Sequence, residues 1–275
     1  QLLIDNLNPD EGYVIREGGG SQRRRDIYKD YKNGRRPVKL NRYYESDIPD
    51  TVNNRNYQIN MITKFLGFSG IPQTYVADCE ADDIIGYLSK YKFNKDKVII
   101  VSSDKDYYQL LKRDAVEIWS PGQKKLLTSD SIRERFGIPA ENFCVIRCFC
   151  GDGSDGLRGI KGAGFRTMLK RFPELGEDKF VSVEEIIKSS ERNATSSKVK
   201  LYHQILLDRE IPIMNWKLMY LDISNLSADH IEKINFRIDT LDRKLNKIEF
   251  MRMLIRHGIK IFDANKFFMT ARSIF

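Results

Sequence analysis

Long apolar runs are missing from this 275-residue chain. The strongest, Val98-Ile99-Ile100-Val101, falls far short of the roughly 20 residues that cross a bilayer, so no membrane partner is expected. The opening residues, Gln1-Leu2-Leu3-Ile4-Asp5, lack the basic stretch and apolar core of a secretory leader, and they also lack an initiating Met. Cysteine and histidine are scarce, at four and three residues. Cys79, Cys144, Cys148 and Cys150 form no paired C-x-x-C units and have no histidine nearby, which argues against structural zinc and for reduced thiols in an intracellular, cytoplasmic protein. Repeats and low-complexity tracts are absent.

What the chain has in quantity is charge. Its 46 Lys and Arg outnumber 38 Asp and Glu, for a formal net charge of +8. The excess is concentrated. Ten basic residues against three acidic ones lie between Arg16 and Arg42, and Arg158, Lys161, Arg166, Lys170 and Arg171 follow one another without an acid. Tyr28, Tyr31, Tyr43 and Tyr44 are interleaved with the first patch and are suited to stacking on bases. Such patches point to a polyanion partner.

Hydrophobic periodicity gives an α/β protein: a central, mostly parallel twisted sheet with flanking helices, then a helical C-terminal region. Strands are expected at 12–16, 73–76 and 97–103, with a hairpin over 116–128. Helices are expected near 51–67, 82–88, 107–112, 131–136 (capped by Ser129 or Asp130), 139–150, 164–172, 182–192, 197–208, 227–238 and 246–257. Ile211-Pro212-Ile213 reads as a packing element. The expected division is 1–150, an α/β part with a basic segment at about 21–50, and 151–275, a helical part. Phe267-Phe268 has the look of a sliding-clamp peptide, but position 261 is Ile rather than Gln, so the pair reads as packing.

The acids gather where an open α/β sheet binds ligands, beyond the carboxyl ends of strands. Glu80, Asp82 and Asp83 follow one expected strand, Asp104 and Asp106 another, and Asp152 and Asp155 occupy a Gly-rich loop. Seven carboxylates converging with no cation among them require divalent ions, and oxygen donors favour Mg²⁺ or Mn²⁺. Two such ions stabilise the attacking and leaving oxygens of a phosphodiester.

Glu80-Ala81-Asp82-Asp83-Ile84-Ile85-Gly86, Ser102-Ser103-Asp104-Lys105-Asp106-Tyr107-Tyr108-Gln109-Leu110 and Gly151-Asp152-Gly153-Ser154-Asp155-Gly156 resemble, in order and spacing, the 5′-nuclease family. That family comprises flap endonucleases, phage 5′–3′ exonucleases and the 5′-nuclease domain of bacterial DNA polymerase I. The resemblance covers roughly 13–175 and implies a PIN-like α/β nuclease fold. It implies that Glu80, Asp82 and Asp83 serve a first metal and Asp104, Asp106, Asp152 and Asp155 bridge to or hold a second. The products would be a 5′-phosphate and a 3′-hydroxyl.

The segment Gly159-Ile160-Lys161-Gly162-Ala163-Gly164-Phe165-Arg166-Thr167 has the glycines of a helix-hairpin-helix, whose backbone N–H groups can approach phosphate. With Lys170 it is expected to grip duplex DNA, and the resemblance adds a K⁺ ion at that hairpin. The acidic clusters and the resemblance together imply metal binding for 1–150 and DNA binding for 151–275. The stretch Ser21 to Arg35 resembles the family's basic arch, so Lys32 and Arg35 are expected to steer the scissile phosphate and Arg23, Arg24 and Arg25 to contact the backbone. The implied partner is branched or nicked duplex DNA with 5′ ends or flaps, with RNA/DNA hybrid as a further substrate. The implied protein is a monomer from a bacterial or phage-infected cell, with replication proteins as potential partners.

Three departures stand out. The family opens with a strand ending in a metal-binding Asp, and no such strand precedes residue 13. This points to an intact product longer at its N-terminus, with a split gene or a decayed nuclease as alternatives. Glu17, seven residues before Arg24, stands where the family has a second Asp. Its extra methylene displaces the carboxylate by about 1–1.5 Å. Gly156 stands where the family has Asn. Outside the lead reading are a non-catalytic branched-DNA binding protein and a PIN-type ribonuclease, the latter disfavoured by the hairpin at 159–167.

Overall fold

The computed structural model describes residues 2–33, 52–241 and 243–271. The chain divides into two compact units. One comprises Gln1–Gly18, Arg36–Ala77 and Ala228–Phe275, the other Gly19–Arg35 and Asp78–Ser227. Among the described residues no helix is long and apolar enough to cross a membrane.

In the first unit β1 (Val14–Ile15) pairs in parallel with β2 (Gln73–Thr74), with Val14 opposite Gln73 and Ile15 opposite Thr74. The helix Val52–Phe68 lies between them in sequence, as a parallel pair requires. At Gly70 the backbone enters the left-handed region (φ 76°), and a Cβ there would crowd the Arg243 carbonyl at 3.1 Å, so this turn needs glycine. Helices Ala228–Asp239, Lys247–Arg256 and Ala264–Ala271 complete the unit. Phe250, Leu254, Phe267 and Phe268 form its core, with Phe65 edge-on to Phe250 at 5.2 Å. Phe267-Phe268 is therefore a packing pair, only 5% and 3% exposed.

In the second unit β3 (Val98–Val101) runs parallel to β4 (Val116–Ser120), and β4 pairs antiparallel with β5 (Lys125–Leu127) in the expected hairpin. The helix Phe143–Cys150 is central. Its Phe143, Cys144, Val145, Ile146, Cys148 and Phe149 are all buried, the signature of a helix surrounded by core. All four cysteines are free thiols.

Three local details differ from expectation. The helix Ser129–Phe136 is capped by Thr128, one residue earlier, because Thr128 and Ser131 form a reciprocal capping box. Lys105–Lys112 is a 3₁₀ rather than an α-helix. There the Asp104 carboxylate takes the Asp106 N–H and the Gln109 amide takes the Asp106 carbonyl, which tightens the turn. Finally, Glu210–Met219 is a full helix around the Ile211-Pro212-Ile213 stretch. Pro212 sits in its first turn, where a missing N–H costs no intrahelical bond.

Candidate metal centre and nucleic-acid interface

The carboxylates of Asp106, Asp152 and Asp155 each place an oxygen within 4.8 Å of the others. Asp106 is set by the turn just beyond β3. Asp104 caps that turn, accepting the Asp106 N–H at 2.9 Å, while its own N–H donates to Ser102 Oγ. Asp152 and Asp155 come from the loop after the central helix. The loop is closed on itself by Asp152 N to Leu157 O (2.9 Å) and Leu157 N to Asp152 O (2.8 Å). Ser154 donates both its N–H and its hydroxyl to Asp152 Oδ1, which aims that carboxylate.

Gly151 and Gly159 let the entry and exit of this segment cross at backbone distance. A Cβ on Gly159 would overlap the Cys150 carbonyl, and one on Gly151 would overlap the Gly159 amide. The identity of Gly159 is thus set by chain crossing, upstream of any phosphate contact. Gly156, the departure from the family's Asn, has φ 72°, a region that glycine and asparagine share more readily than other residues.

The expectation of carboxylates without cations is corrected by the structure. Arg147, on the central helix, donates from Nη2 to Asp106 Oδ1 at 2.9 Å and to Asp152 Oδ2 at 2.5 Å. Sequence reasoning missed it. The available signal was a lone arginine in the otherwise apolar run Phe143–Cys150, five residues before Asp152. Burial pushes the Asp106 carboxyl up to about 7. Arg147 opposes this, while Asp104, Asp152 and Asp82 add to it. Asp152 moves the other way: burial would raise it, but the Ser154 hydrogen bonds and Arg147 outweigh burial and hold it below the ordinary carboxylate value.

The other side of the cluster is built on the helix Ala81–Tyr87, with Glu80 at its N-cap. Asp82 accepts a hydrogen bond from the Tyr107 hydroxyl, which ties it to the turn carrying Asp106. Glu80 is 2% exposed. Its Oε2 receives Lys32 Nζ at 2.7 Å and the Tyr31 hydroxyl at 3.1 Å, with Arg24 Nη1 at 3.4 Å. The Lys32 N–H also donates to the Asp155 carbonyl at 3.0 Å, so the arch segment and the Gly-rich loop are joined.

Arg24 departs from its expected role. It is 1% exposed and forms a two-pronged ion pair with Asp83, while its Nε donates to Leu218 O at 2.8 Å. Asn225 adds a bond to Asp83 Oδ1 at 3.1 Å. Burial works against the guanidinium charge, but Asp83 and Glu80 outweigh it. Arg24 and Asp83 therefore neutralise each other inside the unit, and neither faces a ligand. Arg23 is half-buried and donates to Lys217 O at 3.1 Å, so one of its N–H groups is spent within the chain. Arg25 keeps more exposure, 3.7 Å from Asp78. Gln109 donates to Asp106 O and Met219 O and accepts from Leu221 N. Arg23, Arg24 and Gln109 thus take three consecutive carbonyls at the end of the helix Glu210–Met219, two of them while also holding a part of the acidic cluster.

Glu17 lies just after β1 in the first unit and is exposed. Arg35 falls outside the described residues. In the proposed hairpin, Lys161, Gly162, Gly164, Arg166, Thr167 and Lys170 are all exposed, and Lys161, Arg166 and Lys170 form no ion pair among the described residues. Gly162 has φ 89°, and Gly164 precedes the helix Phe165–Arg171 as its N-cap.

Comparison with known proteins agrees with this geometry. Residues 1–137 match the family model described as 5′-3′ exonuclease, N-terminal resolvase-like domain. A 5′-3′ exonuclease of Buchnera aphidicola (subsp. Schizaphis graminum) is 30% identical over 205 residues, 73% of this chain and 66% of that protein. One of Aquifex aeolicus is 28% identical over 272 residues, 94% of this chain and 82% of that protein. The chain spans just under two thirds of the first of these relatives and about a quarter of the thermostable DNA polymerase I of Thermus filiformis, to which it is 25% identical. A bacteriophage T5 flap endonuclease, solved with DNA and metal ions, covers 87% of each chain at TM-score 0.69 and 20% identity, and a zinc-bound T5 5′-exonuclease does so at 0.68 and 22%. Those two likenesses establish the α/β fold with its helical C-terminal region. Residues 1–137 thus belong to the 5′–3′ exonuclease family as its N-terminal resolvase-like domain, and the chain as a whole is similar to 5′–3′ exonucleases.

Proposed function

We propose that this chain is a divalent-metal-dependent, structure-specific 5′ nuclease that hydrolyses phosphodiesters in DNA with 5′ ends, nicks or flaps, RNA primers included. The observation that carries this reading is the convergence of Asp106, Asp152 and Asp155. The donors are all carboxylate oxygens, which suits Mg²⁺ or Mn²⁺. The raised Asp106 fits a cation as well: a carboxyl too buried and crowded to ionise readily by itself does so beside a divalent charge.

Asp104, Asp106, Asp152 and Asp155, with Glu80 and Asp82, are the residues that would hold two ions. Once bound, the ions supply Lewis-acid stabilisation of the attacking and departing oxygens. Asp83 serves by orienting the Glu80–Asp82 turn through Arg24. Lys32, resting on Glu80, and Arg35 are assigned to the scissile phosphate. The exposed Lys161, Arg166, Thr167 and Lys170, with the Gly162 and Gly164 amides, hold duplex backbone without reading sequence, with K⁺ as the hairpin's ion. In this division of labour residues 1–150, joined by Asp152 and Asp155, do the chemistry, and the rest of 151–275 holds the duplex. The protein acts as a monomer inside the cell, beside replication proteins. A non-catalytic branched-DNA binder is not favoured, because all seven later carboxylates are kept.

The test is a fluorescent 5′-flap substrate with Mg²⁺, Mn²⁺ or EDTA. Cleavage with the metals and none with EDTA is expected, leaving 5′-phosphate and 3′-hydroxyl ends. No cleavage by this chain or by a form extended at its N-terminus overturns the reading.

A further inference from the structure

The first unit carries a cationic site that none of the motifs above includes. Arg16 follows β1 and Tyr75 follows β2, so both stand at the carboxyl end of the parallel pair. Arg237 reaches the same place from the helix Ala228–Asp239. The Arg16 guanidinium lies 5.2 Å from the Tyr75 ring centre and that of Arg237 5.0 Å. Tyr75 is 40% exposed.

Neither guanidinium has a carboxylate partner among the described residues. Arg16 spends one N–H on Thr63 Oγ1 (3.0 Å) and its buried Nε has no acceptor, while Arg237 makes no hydrogen bond there. The two charges lie within about 10 Å of each other, close to the Debye length at 0.1 M salt, so each feels the other. Stacking on a tyrosine face offsets part of that repulsion, on the order of 0.5–1 kcal/mol at an exposed site, and leaves the N–H groups of Arg237, and those of Arg16 beyond the Thr63 bond, without an acceptor among the described residues. Three other arginines show the contrast, each neutralised by carboxylates: Arg24 by Asp83, Arg147 by Asp106 and Asp152, Arg243 by Glu11. A pair of stacked arginines with no counter-ion is the mirror image of the carboxylate cluster, and it calls for an anion with oxygens at more than one point.

We infer that Arg16, Tyr75 and Arg237 form a phosphodiester-binding site that holds the backbone of a nucleic-acid strand, independently of base sequence. The inference rests on the nuclease reading for its choice of anion. The planar forks of arginine suit phosphate oxygens, and their stacking on Tyr75 pre-organises them.

The experiment is fluorescence anisotropy of a labelled 5′-flap oligonucleotide in EDTA, titrated at several KCl concentrations. Each phosphate contact contributes about 0.7–0.9 to the slope of log affinity against log salt, so the double variant Arg16→Gln/Arg237→Gln should flatten the slope by roughly 1.4–1.8. It should also bind about tenfold more weakly at 50 mM salt. The variant Arg16→Lys/Arg237→Lys keeps both charges and should keep the slope. If the Gln pair melts early, the exposed Arg237→Gln alone decides: it should flatten the slope by roughly 0.7–0.9, and an unchanged slope overturns the site. An unchanged slope in a folded Gln pair overturns it too, and leaves the nuclease reading standing. A wild-type chain that neither binds nor cleaves the oligonucleotide overturns both.

Discussion

Asp83 and Asp106 are largely buried carboxyls of one acidic cluster, and they are neutralised in opposite ways. Asp83 receives a two-pronged arginine fork and an asparagine amide, all three donors held by buried residues. Its charge is matched within the fold. Asp106 shares a single guanidinium nitrogen with Asp152, has Asp104, Asp152 and Asp82 as like-charged neighbours, and is pushed up to about 7. Its charge is matched only in part. The difference separates a structural ion pair from an under-neutralised cluster, the one to which the proposed ions are assigned. Carboxylates adjacent in sequence, such as Asp82 and Asp83, can thus belong to different categories.

The sharpest way to break this comparison is to neutralise each partner in turn. Asp106→Asn should lower flap cleavage by about 10³-fold, the scale of losing preorganised charge at a reacting phosphate. Its melting temperature in EDTA should hold or rise, because a repelled charge has been removed. A melting temperature that falls by many degrees would show that Asp106 is structural after all. Asp104→Asn should behave in the same direction while retaining DNA binding.

On the other side, Arg24→Ala leaves Asp83 buried without its fork. Breaking a buried pair by removing one partner costs about 3–5 kcal/mol, to be read by urea denaturation. The variant of both partners, Arg24→Met/Asp83→Asn, should recover part of that loss. Cleavage by the single variant, measured where it is still folded, should fall because Glu80 and Asp82 sit on the turn that Asp83 anchors. An Arg24→Ala chain of wild-type stability would place the fork outside the structural framework.

The pH dependence sharpens the same contrast. Asp106 binds its proton more tightly folded than unfolded. Between the ordinary carboxylate value of 3.8 and about 7 the native chain therefore holds the extra proton. Stability without metal should fall as pH rises through that window, by a few kcal/mol at most from this group. Asp106→Asn should flatten that decline. Divalent affinity has the opposite sign, rising with pH up to about 7 as the competing proton is lost, and isothermal calorimetry at pH 5.5 and 7.5 reads it.

How far the sequence was legible depended on the range of the interaction concerned. Strands, hairpin, most helices and the three acidic motifs follow from local periodicity and spacing. What escaped was set by distant contacts. Arg24 looks like any member of a basic run, and only Asp83, fifty-nine residues away, turns it inward. Arg147 hides in an apolar helix and becomes readable only when β3 brings Asp106 beside it. The helix Glu210–Met219 is obscured by Pro212, and its last carbonyls are held by Arg23, Arg24 and Gln109 from distant stretches of chain. Gly159 was legible as important but for a different reason, since its lack of a Cβ serves the crossing with Cys150.

The smallest expected effect concerns the loop that joins the motifs. Gly156 is exposed, its φ is 72°, and a Cβ there would touch nothing closer than the Asp30 carbonyl at 3.5 Å. Asparagine accepts the left-handed region at low cost and restricts the unfolded chain more than glycine does, so the two effects nearly cancel. Gly156→Asn should therefore change stability by less than about 0.5 kcal/mol and leave flap cleavage within about twofold. Gly156→Val tests the same geometry from the other side, because a β-branched residue at that φ is strained. Destabilisation by valine but not asparagine would show that backbone conformation governs this position. Equal losses in both would instead point to the space beside Asp30 and draw the arch segment into the positioning of Asp155, whose carbonyl already receives the Lys32 N–H.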